Sequence, residues 1–335
     1  MIKKAIGLTL TALLMVTSLA GCGNGKGATA SRDGEPAAIK VGTNRALGTV
    51  VPYIARTRGI IAAKGLKVDI VDFQDGSTLM EAFASGQLDI AFTGVAPAAI
   101  WQGKGVPLKV VASANGGGHV LLTREDAGIK DLSELKGKKI AEPRTGTVSD
   151  TLLRSRILQD EAKLDPEKDV QLLPGMAPAD MPAALTVSKE VDAVLTWEPF
   201  ASRAEREFKG IRVLYDAAAE WKKQKSGAAY YPVNVVVARQ SFIDRHPDEL
   251  KKFLAAYKET VDFINNRPDE ANALIARELN LDKEIVASAR QRIDYTWQLD
   301  IPATLETLKW SQKLGYLQEI PSPGKLFDSS YLPRE

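Results

Sequence analysis

From about residue 39 onward, short apolar runs of this sequence alternate with amphipathic stretches of helical period. The runs at 39–42 and 89–93, for example, have the pattern of strands, and the stretches at 50–63 and 96–102 have the pattern of helices. Strands separated by helices favour a mostly parallel sheet with helices on both faces. We therefore predict an α/β fold, and a chain of 335 residues is long enough for two such units.

The same plan recurs about 100 residues further along the chain. The strand at 138–141 opens onto a turn rich in Gly and Thr, and residues 188–196 match residues 85–93 in order and spacing. Units of an α/β fold can resemble each other by chance, so the match alone leaves coincidence open. We predict two related lobes, each a helix-flanked and mostly parallel sheet.

Two further apolar runs, at 120–122 and 232–238, predict that the chain crosses between the lobes at about 118–124 and 230–238. Two crossings form a two-stranded hinge. The helices expected after the second run have no strands of their own and would cover the first lobe; they lie at 241–265, 268–279, 283–297 and 303–315. The predicted division assigns 37–118 and 239–335 to lobe I and 119–238 to lobe II.

The N-terminus has the layout of a secretory signal peptide. Lys3 and Lys4 precede an uncharged, largely apolar stretch, and the motif Leu-Ala-Gly-Cys that ends at Cys22 resembles the bacterial lipobox. In such lipoproteins the chain is cut before the cysteine, which then carries the lipid. Cys22 is the only cysteine of the chain, and its alternative role is a buried structural residue. We predict a signal peptide over 1–21, a lipid on Cys22 and a flexible tether over 22–36, which anchor the protein to a membrane outside the cytoplasm.

Charge and residue counts exclude several classes of function. Once the two lysines of the signal peptide are removed, 42 basic residues stand against 42 acidic ones, and a neutral chain without basic runs binds nucleic acid poorly. One Cys and two His exclude a disulfide framework and leave few ligands for zinc. We expect no metal, no cofactor and no nucleic-acid partner.

The predicted strand ends are rich in Gly, Ser and Thr. Ligands of open α/β sheets bind at the carboxyl ends of strands, and hydroxyl and backbone N–H groups at a helix start stabilise an anion. Ser, Thr and Asp at these positions also act as ordinary helix N-caps. Five such turns on two facing lobes nevertheless favour a ligand cleft; they lie at 43–45, 75–78, 93–95, 144–147 and 196–198.

The sequence contains no arrangement that is typical of an enzyme. The patterns G-x-S-x-G and G-x-G-x-x-G and a phosphate-loop lysine are all absent. His119 begins the first crossing and either faces the cleft or packs in the hinge. Trp197 is either core or pocket wall, and Glu198 suits a hydrogen-bonding role better than that of a general acid. We predict a binding protein, with an exported enzyme or a lipoprotein adaptor as the alternatives.

Seven segments follow one another in a specific order along the chain, at 52–55, 65–68, 73–77, 85–91, 93–97, 135–141 and 196–200. They include Phe-Gln-Asp-Gly-Ser, Ser-Gly-Gln-Leu-Asp-Ile-Ala and Thr-Trp-Glu-Pro-Phe. Together they resemble the periplasmic solute-binding proteins for nitrate, sulfonate, taurine and bicarbonate, which are related to the pyrimidine-precursor binders of thiamine supply. The resemblance extends from about residue 39 to residue 331.

This resemblance implies a two-lobed, type II periplasmic-binding fold that closes on a solute and delivers it to an ABC permease and its ATPase. The implied ligand is a small organic anion such as an alkanesulfonate, with nitrate, bicarbonate or a thiamine pyrimidine precursor as alternatives, and we expect a monomer. Val95 stands where many sulfonate binders have Asp, which disfavours a ligand with an amine, such as taurine. Carried over by position, the cleft residues are Asn44, Gly76, Ser77, Thr93, Gly94, Arg144, Thr145, Thr147, Ser149, Trp197, Glu198 and Asn234.

Overall fold

Two sheets organise the chain in a computed structural model that describes residues 38–74, 76–224 and 230–334. The predicted signal peptide, the lipid on Cys22 and the tether all lie outside these residues. The strands are β1 (Ile39–Thr43), β2 (Val68–Asp72), β3 (Ile90–Gly94), β4 (Leu108–Gly117), β5 (His119–Arg124), β6 (Lys139–Glu142), β7 (Gln171–Pro174), β8 (Ala193–Trp197), β9 (Ile211–Asp216), β10 (Pro232–Arg239) and β11 (Ile293–Tyr295).

Helices flank both sheets. They are α1 (Val51–Thr57), α2 (Ile60–Ala63), α3 (Gly76–Ala84), α4 (Val95–Gly103), α5 (Val148–Thr151), α6 (Met181–Thr186), α7 (Phe200–Glu207), α8 (Ala217–Gln224), α9 (Gln240–Arg245), α10 (Pro247–Asn266), α11 (Pro268–Leu279), α12 (Lys283–Ala289), α13 (Ile301–Lys313) and α14 (Pro323–Leu326). The α5 helix continues as a π-helix over Leu152–Ala162, and short 3₁₀ helices span Leu47–Thr49, Glu125–Ala127, Leu132–Leu135 and Arg290–Arg292.

Counted from β2 in the first sheet and from β7 in the second, the two sheets share the arrangement of five strands, and the first sheet has β11 as a sixth. The first sheet runs β11-β4-β10-β3-β1-β2 and the second runs β7-β6-β8-β5-β9. In the first sheet β2, β1 and β3 pair in parallel, and β10 lies antiparallel beside β3. In the second sheet β7, β6 and β8 pair in parallel, and β5 lies antiparallel beside β8. The parallel strands β1, β2 and β3 start 100 to 103 residues before β6, β7 and β8. The predicted pair of helix-flanked α/β units is therefore confirmed.

The alternation of side chains along the strands explains why each sheet is covered on both faces. In β10, Val236 packs with Phe253 and Leu254 of α10, whereas its neighbours Val235 and Val237 pack in a cluster with residues of α3, α4 and α13. Successive residues of a strand face opposite sides, so a strand buried on both faces is apolar throughout. Of the C-terminal helices, α10 and α13 thus lie on opposite faces of the first sheet.

The second crossing between the lobes was predicted at about 230–238, but the strand in this segment, β10, belongs to the first sheet. The boundary at residue 238 would place the run at 232–238 in lobe II, but β10 hydrogen-bonds to β3 and β4 of the first sheet. A strand with apolar residues on both faces can lie at the centre of either sheet, so its composition does not reveal which sheet it joins. The chain therefore returns to the first sheet before β10.

Two of the predicted C-terminal helices are also different. The helix over 241–265 is interrupted at His246, because Pro247 disfavours the helical conformation in the residue before it and starts the next helix instead. The helix over 283–297 ends at Ala289, and Ile293–Tyr295 forms an edge strand on β4. Gly117 makes this edge accessible, since its φ is +72° and a Cβ there would lie 2.2 Å from the carbonyl oxygen of Arg292.

Candidate functional site

A cavity of about 120 Å³ lies between the carboxyl ends of the two sheets and is called here the inner cavity. The first sheet and its connections contribute Asn44, Gly76, Thr93, Gly94, Asn115 and Asn234, and the second contributes His119, Thr147, Ser149, Trp197 and Glu198. The lining thus contains nine of the residues that the family resemblance implies: Asn44, Gly76, Thr93, Gly94, Thr147, Ser149, Trp197, Glu198 and Asn234.

Amide side chains form one wall of the inner cavity. Asn234 Nδ2 on β10 donates to Asn115 Oδ1 on β4 at 2.7 Å, and Asn44 Oδ1 accepts from Thr49 Oγ1 at 2.8 Å. A Cβ at Gly48 would lie 2.6 Å from Asn115 Oδ1, so a residue without a side chain is needed beside this pair. Asn44 accepts through its oxygen and keeps its amide N–H groups, and Asn234 keeps the second of its two N–H groups, so both can donate to a ligand.

Thr93 stands at the end of β3, next to the start of α4. Its side chain is buried, and Oγ1 has no hydrogen-bond partner among the described residues. A buried hydroxyl without a partner costs about 1–3 kcal/mol. The first N–H groups of a helix also lack partners within the helix. This corner of the cavity is therefore suited to a ligand that accepts hydrogen bonds.

His119 and Ser149 form the opposite wall. His119 Nε2 lies 2.9 Å from Ser149 Oγ, and the imidazole meets the Trp197 ring edge-on with 6.2 Å between ring centroids. Burial lowers the pKa of His119 to about 4, although the backbone of Gly117 acts in the opposite direction. The imidazole is therefore neutral at pH 7 and offers hydrogen bonds rather than a positive charge.

The carboxylate of Glu198 borders the cavity, and its negative charge is paired with the Arg292 guanidinium. Glu198 Oε1 lies 2.8 Å from Arg292 Nη1, and the two carboxylate oxygens accept from the hydroxyl and the backbone N–H of Ser202 at 3.0 Å each. Burial raises the pKa of Glu198 while Arg292 opposes the rise. Arg292 also contacts Glu205 at 2.6 Å and Asp216 at 3.1 Å, so one cation beside β11 of the first sheet joins three carboxylates of the second.

The turn before α5 is fixed by its own hydrogen bonds. Thr147 Oγ1 accepts from the N–H of Asp150 at 3.3 Å and donates to the carbonyl of Arg144 at 2.7 Å, which is the behaviour of an N-cap. Thr147 also lines the inner cavity. The sequence left helix capping and ligand binding as alternatives for such residues. Thr147 both caps the helix and lines the cavity.

Three of the implied cleft residues lie elsewhere. Ser77 and Thr145 line a second pocket of about 360 Å³, called here the outer chamber, which shares Gly76, Pro97 and Thr147 with the inner cavity. Arg144 is exposed and lines neither space. Among the described residues, no arginine lines the inner cavity.

Sequence reasoning did not find Asn115 or Gly48. Both line the inner cavity, and the signal for Asn115 was available, since it follows the run at 108–113 and precedes three glycines. Within residues 38–74, 76–224 and 230–334 there is no group of three or more His, Cys, Asp and Glu side chains that could hold a metal ion. In the same ranges no helix has the length and apolarity needed to span a membrane.

Comparison with known proteins shows which family the sequence matches. Residues 32–279 match the NMT1-like family. A Bacillus subtilis protein named as an aliphatic sulfonates-binding protein is 28% identical over 291 residues, 85% of this chain and 81% of that relative.

Solved structures share the fold. The periplasmic aliphatic sulphonate binding protein SsuA from Escherichia coli superposes with a TM-score of 0.73 and 23% identity, covering 88% of this chain and 99% of that one. The desulfurization enzyme DSZB has a TM-score of 0.65 and 17% identity, covering 88% and 97%. The two-lobed periplasmic-binding fold expected from the sequence is confirmed. Since the matched residues are well over half of the chain, the protein belongs to the NMT1-like family.

Proposed function

We propose that this protein is the solute-binding component of an ABC importer and that it binds a small organic sulfonate in the inner cavity. The observation that carries the proposal is a small cavity between the two sheets, lined by uncharged hydrogen-bonding groups and by one carboxylate, Glu198, that Arg292 pairs with. The Bacillus subtilis relative supports the ligand class, because its 28% identity extends over 85% of the chain. The likeness to the Escherichia coli protein, at 23% identity, supports the fold.

A sulfonate has three oxygens that accept hydrogen bonds and share one negative charge. Thr93 Oγ1 and Asn234 Nδ2 would donate from the first sheet. His119 Nε2 lies 2.9 Å from Ser149 Oγ, and with the proton on Nε2 the imidazole would donate to that oxygen and leave the hydroxyl hydrogen of Ser149 for the ligand. Hydrogen bonds to a charged group contribute about 1.5–3 kcal/mol each. Short, directed bonds of this kind can hold an anion although the mature chain is neutral.

Binding would also favour closure of the two lobes. Among the described residues we place 38–118 and 232–334 in lobe I and 119–224 in lobe II, with β10 reassigned to the sheet in which it pairs. A ligand shifts a conformational equilibrium only by its different affinity for the two states. A sulfonate that contacts Thr93 in one lobe and Ser149 in the other has that difference, because only the closed arrangement offers both contacts.

Removal of the Thr93 hydroxyl tests the proposal. We expect Thr93→Val to weaken ethanesulfonate binding by about ten- to a hundredfold in calorimetric titration, since it deletes one charge-assisted hydrogen bond. Thr196→Val is the matched control, because Thr196 is equally buried, also has an unpartnered hydroxyl and does not line the cavity. Tighter binding of nitrate, bicarbonate or a neutral pyrimidine than of any sulfonate, or equal effects of the two substitutions, would contradict the proposed ligand class.

We further propose that a lipid on Cys22 anchors the protein outside the cytoplasm, in the periplasm or on the outer face of the cell membrane, beside the permease it supplies. The support is the lipobox-like motif with the only cysteine of the chain. Two acyl chains hold a protein at a membrane far longer than one. We expect Cys22→Ser to move the protein from the membrane to the soluble fraction while ligand binding is retained. A cleaved Cys22→Ser protein that stays with the membrane would refute the lipid anchor.

Two observations favour an exported enzyme as the second candidate. The enzyme DSZB shares the fold, and the contact of His119 with Ser149 resembles a base beside a hydroxyl nucleophile. A triad would need a third group to orient the histidine, but Nδ1 of His119 has no partner among the described residues and Glu198 is paired with Arg292. Turnover of a sulfonate that His119→Ala abolishes would establish the enzyme.

A further inference from the structure

The hydrogen bond between His119 and Ser149 can run in either direction. His119 Nε2 lies 2.9 Å from Ser149 Oγ, and both residues line the inner cavity. When the neutral imidazole carries its proton on Nδ1, Nε2 accepts from the Ser149 hydroxyl, and that hydrogen is not available to a ligand. When Nε2 carries a proton, it donates to Oγ and leaves the hydroxyl hydrogen for the ligand. An anion that accepts from Ser149 while this bond is kept therefore requires a proton on Nε2.

That proton comes either from Nδ1 or from the solvent. If it moves from Nδ1, the imidazole stays neutral, and Nδ1 becomes a bare acceptor that is buried and has no hydrogen-bond partner among the described residues. If it comes from the solvent, the imidazole becomes a cation beside the anion. Opposite charges close to each other favour the charged form of both groups. The second route therefore gives the bound anion a counter-charge, which the first route does not.

The surroundings of His119 hold no spare positive charge for an anion. No lysine or arginine of the described residues lines the inner cavity. The strands β8 and β9 flank β5, which begins at His119. Glu198 directly after β8 and Asp216 of β9 both pair with Arg292, which also pairs with Glu205. One cation thus faces three carboxylates on the elements next to the imidazole.

The other titratable neighbours of His119 are neutral or paired. The Tyr231 ring meets the imidazole edge-on at 6.4 Å between centroids, and burial raises the pKa of its hydroxyl far above the ordinary value. Asp150 follows Ser149 on α5 and pairs with Arg154 at 2.6 Å. Burial lowers the pKa of His119 to about 4, and only the backbone of Gly117 opposes it, so no charged side chain of the described residues contributes. An anion in the cavity would be the first charge to act on the imidazole.

We propose that His119 takes up a proton when the inner cavity binds its anion, so that the solute and a proton are bound together and released together. This inference rests on the proposed function, because it takes the inner cavity as the site of the sulfonate. His119 is a positioning residue here, since it acts on the ligand through the Ser149 hydroxyl. The proton comes from the solvent and returns to it when the anion leaves.

The size of the effect follows from distance. An anion held by Ser149 lies at most about 6 Å from the imidazole, the length of two successive hydrogen bonds. At that distance and an effective dielectric constant of about 20, one negative charge favours the imidazolium by about a hundredfold. The pKa of His119 should therefore rise from about 4 in the free protein to about 6 in the complex. Affinity then increases as the pH falls through the bound value and levels off below the free one.

The test is a calorimetric titration of ethanesulfonate at pH 5 and pH 7.5, a range over which the sulfonate stays ionised. We expect about tenfold tighter binding at pH 5, with uptake of about 0.8 proton per ligand bound. The uptake is obtained from the difference in binding heat between pyridine and piperazine buffers at pH 5. Buffers that are themselves sulfonates are avoided, because they would compete for the cavity.

Three variants identify the group that takes up the proton. His119→Gln keeps an amide that can donate to Ser149 but does not titrate, so its affinity should be equal at the two pH values. His246→Gln is the matched control and should keep the gain, since His246 is the only other histidine of the chain and its side chain is 43% exposed. Glu198→Gln should keep the gain as well. A gain that persists in His119→Gln and disappears in Glu198→Gln would overturn the assignment to His119.

The wild type also gives a direct measurement that needs no variant at His119. The chain has two histidines, so the imidazole resonances of His119 can be followed by nuclear magnetic resonance, and its pKa should rise when ethanesulfonate is added. If that pKa does not move, or if affinity is equal at pH 5 and pH 7.5 with no proton uptake, the coupling is refuted and the sulfonate receptor stands. If the wild type binds no sulfonate at either pH, the proposed function is refuted together with the coupling.

Discussion

Replacing Arg292 by leucine should reduce the free energy of unfolding by about 3–5 kcal/mol, because the substitution removes one partner from a buried ion pair. Glu198 is almost fully buried and would be left without its cation 2.8 Å away. The pKa of its carboxyl, already raised by burial, would rise further without the arginine that opposes the rise. Urea denaturation at pH 7 measures the loss, and Arg292→Leu/Glu198→Gln should recover most of it.

Lys222→Leu is the control for the Arg292 experiment. Lys222 pairs with Asp294 of β11 at 3.1 Å, yet both side chains are substantially exposed. Exposed pairs contribute about 0–1 kcal/mol, so this substitution should have little effect. Equal losses for Arg292→Leu and Lys222→Leu, or no recovery when Glu198 is also neutralised, would contradict the interpretation of Arg292 as the counter-charge of Glu198.

The parts of the fold that the sequence predicts are those that local patterns determine. Strands such as β3 and β8 are marked by apolar runs that end in Thr, and their recurrence along the chain anticipates the shared strand order of the two sheets. The sheet that β10 joins and the existence of β11 depend on distant partners. Ile293–Tyr295 becomes a strand only because β4 presents an open edge beside Gly117. No local pattern contains that information.

For the site as well, local sequence patterns predict some residues, whereas others depend on contacts between distant parts of the chain. The rule that ligands bind at the carboxyl ends of strands leads to Asn44, Thr93 and Trp197, which line the inner cavity. It misses Asn115, because this residue lies within β4, two positions before the strand ends at Gly117. The rule also does not state which way a turn faces, and Arg144 points outward from a turn that its neighbours orient.

The turn at 144–147 is held by Asp150, which pairs with Arg154, and replacing Arg154 should cause the second large loss of stability. Arg154 Nε lies 2.6 Å from Asp150 Oδ1 and Nη2 lies 3.0 Å from Glu142 Oε1, and both carboxylate side chains are fully buried. Asp150 Oδ2 accepts from the N–H of Gly146 at 2.9 Å and so holds the turn that carries Thr147. Arg154→Met would leave two buried carboxylates facing each other. We expect a loss of about 3–5 kcal/mol in the free energy of unfolding at pH 8.

The loss should depend on pH in a definite direction. Burial, with the nearby Asp150 carboxylate, raises the pKa of Glu142 to about 8 from an ordinary value of 4.5. A carboxyl with a raised pKa favours folding at low pH, and that contribution is lost as the pH rises through the folded value. Arg154 lowers this pKa, so in Arg154→Met it rises further, and only the wild type retains a stabilised Glu142 carboxylate as the pH reaches about 8. Arg154→Met should therefore be less harmful at pH 5 than at pH 8.

Two further variants separate charge from packing at Arg154. Arg154→Met/Glu142→Gln/Asp150→Asn keeps the shapes and removes the charges, so it should regain stability and become insensitive to pH. Arg203→Met removes an exposed pair with the same four-residue spacing, to Glu207 at 2.8 Å, and should cost about 0.5 kcal/mol or less. A loss at Arg154 that is equal at pH 5 and pH 8 would mean that the arginine acts through its packing. The turn at 144–147 would then owe its position to shape rather than to the buried charges beneath it.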